Sequence, residues 1–455
     1  LPDIDVDFPH DRRDEVVEML LERHGPEHAA AVGGFSTFQS RSAFAEIAKT
    51  LGVSEFQIRR ISTRMPRVRA RDAAAYVAES LERASMPLDE EPYATALAMA
   101  ARLDGVPRHA KLHPCGLVVS RLPLCHLTPL FRSGKGLPAT HLDMDDAEDL
   151  GLVKLDLLAQ GGLAVMRDAV ANSRLPIDNR QLPIADSRLP IANCQSAIGY
   201  WLSAAPLRSG VMDDLAPWDD PDVWDLVSSG QSRGVHHIES PAMISLARML
   251  NARDIDTLVA MVSVIRPGAA NEDKKRRFAL RHQGMEPVTY PHPSLEGVLR
   301  GTYGLIVYEE QILQICEAFA GLDPGRADRL RRALVKRDWE TATAIGGEFA
   351  ARARAGGRSD DEIKAVWELT CGFNGYAFCK AHSAAYAVEA YQAAWLKRNR
   401  PADFLAAVLT HGKGFYRPLV YALEALRMGI GFRRPCVNDP GPAYTVREGG
   451  IRVPA

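Results

Sequence analysis

Polar and apolar positions alternate at the start of the chain. In "LPDIDVDFPH", Asp3, Asp5 and Asp7 fall on one face of a β-strand and Ile4, Val6 and Phe8 on the other, because successive strand side chains point to opposite sides. The period then changes. "DRRDEVVEMLLERHG" sets Val16, Val17, Leu20 and Leu21 in a helical stripe, with Gly25 placed to end it. "SRSAFAEIAKTLG" predicts a second helix with a serine cap, closed by Gly52, and helical patterns continue to about residue 104. "CGLVVSRLPL" and "GLVKLDLLAQGG" carry nearly continuous apolar runs, the signature of strands inside a sheet. From about 217 to 410 the pattern is strongly helical, whereas "FRRPCVNDPGPAYTVREGGIRVPA" has few helical signals. Periodicity alone gives a sheet with helices around it.

One segment fits neither period. Residues 173–193, "SRLPIDNRQLPIADSRLPIAN", repeat Leu-Pro at heptad spacing (Leu175-Pro176, Leu182-Pro183, Leu189-Pro190). A proline every seventh residue forbids a continuous helix. The expectation is an inserted, extended and mobile surface loop without chemistry.

Composition narrows the function classes. The chain's 455 residues allow about two to four domains, and 46% hydrophobic with 25% charged residues is ordinary for a globular protein. Lys and Arg total 55 against 57 acidic residues, so any polyanion site must be a local patch. The seven cysteines form no CxxC pair and show no Cys/His ligand spacing, which predicts neither a disulfide framework nor a zinc site and points to a reducing compartment. No apolar run reaches membrane-spanning length and no leader precedes Leu1, so the expected location is cytoplasmic. A chain that begins with leucine already inside a strand reads as a fragment.

The candidate chemistry is acidic and basic. Aligned carboxylates repel by about 1 kcal/mol per close pair in water, which either solvation or a bound divalent cation offsets. Asp156 interrupts an apolar strand and is costly to bury unpaired. Its partner is Lys154 or a cation, and the acidic strand favours a shared cation. His24 and His28 stand four apart, but Gly25-Pro26 breaks the helix between them, so they read as solvated. In "GRADRLRRALVKR", Leu330 and Leu334 mark a buried side. Arg329, Arg332 and Lys336 cluster within about 60° of arc on another, a solvated face or a phosphate contact.

Taken in order, "PDIDVDF", "GLVKLDLL", "SVIRPGAA", "TYGLIVYEEQILQICEAFAG", "ADRLRRALVKR", "KAHSAAYAVEAYQAAWLK" and "PADFLAAVLT" resemble the catalytic core of the bacterial family C DNA polymerases. These comprise the DNA polymerase III alpha subunit and its error-prone homologues. "GKGFYRPLVYALEALRMGI" and "HHIES" are somewhat closer to the error-prone branch. The likeness runs from Leu1 to roughly residue 437, interrupted by the repeat.

This resemblance implies an α+β, mostly helical fold: a polymerase-β-like nucleotidyltransferase palm remnant, a helical thumb and a large helical fingers domain. It divides the chain into a first part of the palm (1–35), thumb (36–104), second part of the palm (105–170), low-complexity inserted loop (171–216), fingers (217–405) and the truncated start of a helix-hairpin-helix region (406–455). Asp5, Asp7 and Asp156 match the palm carboxylates that hold two Mg²⁺ ions, while Asp3 matches no catalytic position. Arg266, Arg329, Arg332, Lys336, Lys380, His382 and Ser383 match positions that contact the substrate, primer-template DNA and dNTPs. Lys274, Lys275, Arg276 and Arg277 either track a DNA backbone or form a soluble loop. The implied function is template-directed DNA synthesis in replication or error-prone repair. A sliding clamp and other replisome subunits are partners only through regions not in this chain.

Departures from the pattern frame two further readings. The family's Gly-Ser-rich loop and amino-terminal PHP domain would lie upstream of Leu1, and its clamp-binding and OB modules beyond the end. Cys379 and Ala381 stand where the family commonly has Asn and Ser, and "LAQGG" follows Asp156 in place of a Leu-Gly-Leu type continuation. The chain as written is therefore expected to extend a primer poorly, since a misplacement of 1 Å can cost about 100-fold. The second reading is a catalytically inactive nucleic-acid-binding remnant. The third is another two-metal enzyme, such as a nuclease.

Overall fold

The computed structural model describes residues 4–79, 86–173, 218–265, 272–336, 338–372, 379–438 and 441–455. Asp3, Arg266 and the Leu-Pro repeat lie outside the described residues. The architecture is α+β and mostly helical, in two compact units, Leu1–Ala159 and Gln160–Ala455. Among the described residues no helix is long and apolar enough to cross a membrane.

The first unit is built on a mixed sheet. Its strands are β1 (Ile4–Pro9), β2 (Ala29–Ala31), β5 (Gly116–Val119), β6 (Leu130–Arg132), β7 (Pro138–Thr140) and β8 (Val153–Gln160), in the spatial order β1-β8-β5-β2-β7-β6. β5 runs antiparallel to both β2 and β8, and β2 runs parallel to β7. Helix α1 (Arg13–His24) ends where the sequence indicates: Gly25 takes φ +82° and its N–H returns to the Leu21 carbonyl, a conformation that favours glycine. Val16 and Val17 of α1 are buried with Phe8, Leu117 and Leu157, while Val6 and Leu155 pack at the edge of the same cluster. The odd-numbered apolar residues of β8 thus share a face with the even-numbered ones of β1.

Between β3 (Phe35–Thr37) and β4 (Pro107–Ala110), which pair antiparallel, the chain makes a helical excursion. Helices α2 (Ser40–Thr50), α3 (Glu55–Ser62), α4 (Ala73–Glu79) and α5 (Tyr93–Ala100) enclose a core of their own that includes Phe44, Ile58, Ile61 and Met65. The expected serine cap of α2 is corrected. Gln39 is the cap, in a reciprocal box with Ser42, while Ser40 is fully buried and its hydroxyl donates to the Pro66 carbonyl. Helix α6 (Met144–Asp149) opens on an Asp143 cap, and its Ala147 packs with Ala30 and Val118.

The second unit begins at helix α7 (Gly161–Asn172). The division between the two compact units falls at 159/160. One core gathers α7 with the helices Lys380–Asn399 and Pro401–His411, and Tyr391 and Phe404 are fully buried there. A second core lies among the helices Glu310–Ala320, Pro324–Lys336, Trp339–Ala355 and Asp360–Cys371. The carboxy-terminal stretch forms β9 (Phe432–Arg433), β10 (Thr445–Arg447) and β11 (Gly450–Arg452), ordered β10-β11-β9. Ile451 is buried in the first core, so this small sheet is part of the same unit.

Candidate functional site

Among the described residues the acidic strand ends the sheet and β8 is its neighbour. Since Val6, Phe8, Leu155 and Leu157 turn toward α1, alternation turns Asp5, Asp7, Lys154 and Asp156 to the opposite face. Asp5 is exposed and Asp7 half-buried. Residues about 150 apart in sequence thereby present carboxylates on one face of adjacent strands. Arg13 strengthens this corner, its Nε donating to the Leu157 carbonyl at 3.1 Å.

Asp156 has several neighbours. The register sets it opposite Gly116. Its Oδ2 lies 2.9 Å from Lys154 Nζ, the ion pair that the sequence offered as one alternative. Its Oδ1 lies 3.7 Å from Cys115 Sγ and 3.8 Å from His113 Nδ1. Burial pushes the Cys115 thiol up to about 11, helped by the Asp156 charge. Burial also holds His113 below the usual imidazole range, against the pull of Asp156. Among the described residues, His113, Cys115 and Asp156 form a group whose ligand atoms all lie within 4.8 Å of one another, a group that does not include Asp5 or Asp7. The structure thus brings together a histidine, a cysteine and a carboxylate that no Cys/His ligand spacing in the sequence marks. The third member sits 41 residues beyond Cys115, so no local spacing motif could reveal the group. The signal was the His-Pro-Cys run immediately before a strand.

The basic residues are in the second unit. On the helix Pro324–Lys336, Leu330 and Leu334 are buried as the stripe predicts, while Arg329 and Lys336 are exposed. The stripe is partly neutralised from within. Arg332 Nε donates to Asp328 Oδ2 at 2.8 Å, and Arg331 bridges Asp328 and Glu309. Burial would raise the Asp328 carboxyl, but Arg331 and Arg332 outweigh it and hold it below the usual range. Lys274, Lys275, Arg276 and Arg277 stand on the helix Glu272–His282, not in a loop.

Cys379 caps the helix Lys380–Asn399, its sulfur accepting from the His382 N–H. The Lys380 N–H donates to the Glu310 carboxylate, and Lys380 Nζ lies 5.7 Å from the centre of the Tyr308 ring. The His382 ring sits 4.0 Å from that of Tyr386. Ser383 stands one residue further along this helix. It is fully buried, and its hydroxyl donates to the Cys379 carbonyl four residues back.

A buried polar cluster escaped sequence reasoning altogether. His237 stacks on Tyr386 with ring centres 3.9 Å apart, and its Nε2 lies 3.1 Å from Glu389 Oε2. Both ring nitrogens of His236 and Glu389 Oε1 are buried without a hydrogen bond. A Cβ on Gly162 would meet Glu389 Oε1 at 1.9 Å. This explains the "QGG" after Asp156: only glycine leaves room for the carboxylate.

Comparison with known proteins agrees with this layout. Residues 1–159 match the model of the "Bacterial DNA polymerase III alpha NTPase domain", and residues 209–357 that of the "Bacterial DNA polymerase III alpha subunit finger domain". The chain is 33% identical over 450 residues to the error-prone DNA polymerase of Symbiobacterium thermophilum, covering 98% of this chain and 38% of that protein. It is 33% identical over 457 residues to the DNA polymerase III subunit alpha of Caulobacter vibrioides, covering 99% and 37%. The Thermus aquaticus DNA polymerase III subunit alpha is 32% identical, with 98% and 35% covered. The chain thus spans under two-fifths of the length of these relatives.

Proposed function

From the premise that the chain belongs to the bacterial family of DNA polymerase III alpha subunits and error-prone DNA polymerases, we propose that it takes part in template-directed DNA synthesis. In this reading it holds a primer 3′-hydroxyl and an incoming dNTP on the acidic face of its sheet. The observation that carries this is the adjacency of β1 and β8, with Asp5, Asp7 and Asp156 on one face. Their hard oxygen donors fit Mg²⁺. When bound, Mg²⁺ would supply the charge neutralisation that phosphoryl transfer needs.

The chain's own side chains do the positioning. Asp5 is exposed and Asp7 half-buried on this face, while Lys154 steadies Asp156 from the side. The helical excursion between β3 and β4 is the thumb of this reading, and the second unit supplies the fingers. There Arg329, Arg332, Lys336 and Lys380 are the phosphate contacts, with Arg266 a candidate outside the described residues. His382, held against Tyr386, completes the set. Ser383 acts through the helix end that it stabilises.

The test is binding of primer-template DNA and dNTP by the 455-residue chain with and without Mg²⁺, followed by primer extension. The expected result is Mg²⁺-dependent dNTP retention that Asp5→Asn and Asp7→Asn each abolish while DNA binding persists. DNA binding with no metal-dependent dNTP retention would overturn the catalytic reading and leave a nucleic-acid-binding protein. Hydrolysis of the DNA in place of extension would make it a nuclease.

A further inference from the structure

His113, Cys115 and Asp156 form a site of a different character from the row of carboxylates. The three edges of the triangle are 3.7 Å (Sγ to Nδ1), 3.7 Å (Sγ to Oδ1) and 3.8 Å (Nδ1 to Oδ1). Zinc held tetrahedrally at ordinary bond lengths sets its S, N and O ligands about 3.4–3.6 Å apart. A tetrahedral cation, standing above the plane of the observed triangle, would lie about 2.3 Å from each ligand atom, the Zn–S bond length and about 0.2–0.3 Å longer than Zn–N and Zn–O bonds. We infer that this triangle is a binding site for a thiophilic divalent cation of the zinc type, with solvent or a bound ligand in the fourth position.

The backbone holds the triangle in place. The His113 N–H donates to the Val32 carbonyl at 2.8 Å, and the Leu157 N–H donates to the Cys115 carbonyl at 2.9 Å. The register with β8 then brings Asp156 alongside. Gly116 permits the close approach of the imidazole, since a Cβ there would stand 2.8 Å from His113 Nδ1. Lys154 occupies Oδ2 of Asp156 and leaves Oδ1 to the triangle.

The chemistry balances without redox change. The Cys115 S–H, which points to Asp156, loses its proton to solvent as the sulfur–metal bond forms. The Gly116 N–H donates to His113 Nδ1 at 2.8 Å, and the cation replaces that hydrogen bond. A sulfur ligand separates this site from one suited to Mg²⁺, which takes hard oxygens. The inference stands on its own geometry and shares only Asp156 with the polymerase reading. A cation here therefore draws on a carboxylate that the acidic face also uses.

Cobalt(II) is the probe, added to the reduced, metal-free 455-residue chain. The expected result is one equivalent bound with a thiolate-to-cobalt charge-transfer band and tetrahedral d–d absorption, both erased by Zn²⁺. The band is lost in Cys115→Ser and persists in Cys125→Ser. At least a tenfold loss of affinity is expected in His113→Ala. Asp5→Asn and Asp7→Asn leave the band intact, so failure of the polymerase reading and failure of this one are separable. A folded wild-type chain without the band, or a band that survives Cys115→Ser, overturns the site. Should the Cys115 variant not fold, alkylation of the wild type decides. Cobalt protects Cys115 while exposed Cys125 reacts at its usual rate, and equal reaction of Cys115 with and without cobalt overturns the inference.

Discussion

Lys154 Nζ stands 2.9 Å from Asp156 Oδ2, with each side chain 14% exposed. An ammonium already occupies one oxygen of the carboxylate that the sheet offers to a cation. The pair keeps Asp156 compensated when no metal is near, because a lone buried carboxylate is expensive. It also opposes a second positive charge. Lys154→Met is expected to lower thermal stability by about 1–2 kcal/mol and to tighten Mn²⁺ or Mg²⁺ binding to the acidic face. A thermal melt and a metal titration check both arms, and weaker metal binding would show that Lys154 assists the cation instead.

The basic helix makes a salt-dependent prediction. If Arg332 meets one duplex phosphate, Arg332→Ala flattens the log–log slope of DNA affinity against salt by about 0.9. Asp328, which holds Arg331 and Arg332, competes with DNA for them, so Asp328→Asn is expected to strengthen binding. Fluorescence anisotropy from low to moderate salt reads both. A slope unchanged in Arg332→Ala, with weaker dNTP binding, moves this residue to the triphosphate.

Two neighbouring glycines on the helix Trp339–Ala355 should respond oppositely to alanine. A Cβ on Gly346 would meet the Trp367 ring at 2.6 Å, whereas one on Gly347 meets nothing within 4 Å. Gly347→Ala is expected to stabilise by about 0.5–1 kcal/mol through helix propensity. Gly346→Ala is expected to destabilise by about 1–3 kcal/mol through overpacking. Urea denaturation of the two variants compares them at one propensity change, and equal effects would mean that Trp367 yields.

Buried charge sets the acid limit. Lys397 Nζ donates to Glu424 Oε1 and to the carbonyls of Gln231 and Arg233, at 2.6–2.7 Å. Burial would raise the Glu424 carboxyl from 4.5, yet hydrogen bonds from Arg427 and Lys397 outweigh it and hold it at about 2. A depressed carboxylate contributes stability that is full above its unfolded value and is lost as pH falls through the folded one. Melting temperature should therefore fall steeply from about pH 4.5 toward pH 2, with Asp168, also held at about 2, adding in the same direction. Glu424→Gln should shrink that acid dependence. Lys397→Met should cost about 3–5 kcal/mol because two carbonyls and a carboxylate lose a donor.

Much of the local structure is legible from the residues. The α1 stripe, the Gly25 stop and the Leu330/Leu334 side follow from a repeat of about 3.6 residues, and the strands around Val118 and Asp156 from nearly continuous apolar runs. The cap of α2 was misread because Ser40 is the default cap type, whereas burial commits its hydroxyl to Pro66. Ser383 likewise spends its hydroxyl on its own helix end. A residue's type gives its chemistry but not whether its hydroxyl faces solvent or its own helix. The Gly161-Gly162 pair looked like a departure in sequence and is explained only by residues far along the chain, Lys413 against Gly161 and Glu389 against Gly162.

By itself, the sequence determined the leading strand and helix, the two apolar strands that follow the helical excursion, the alternation that sets acids against apolar residues on β1, and the motif series that marks the polymerase family. These are local properties, because backbone geometry fixes which neighbours share a face. Only the tertiary structure decided that β1 lies beside β8, that Lys154 takes one oxygen of Asp156, and that His113 and Cys115 close on the other. Those relationships depend on strand order and register across long stretches of chain. Side-chain periodicity constrains a register but cannot choose which strands pair. That choice comes from the joint burial of Phe8, Val16, Val17, Leu117 and Leu157, whose packing brings the polar residues on the other face together.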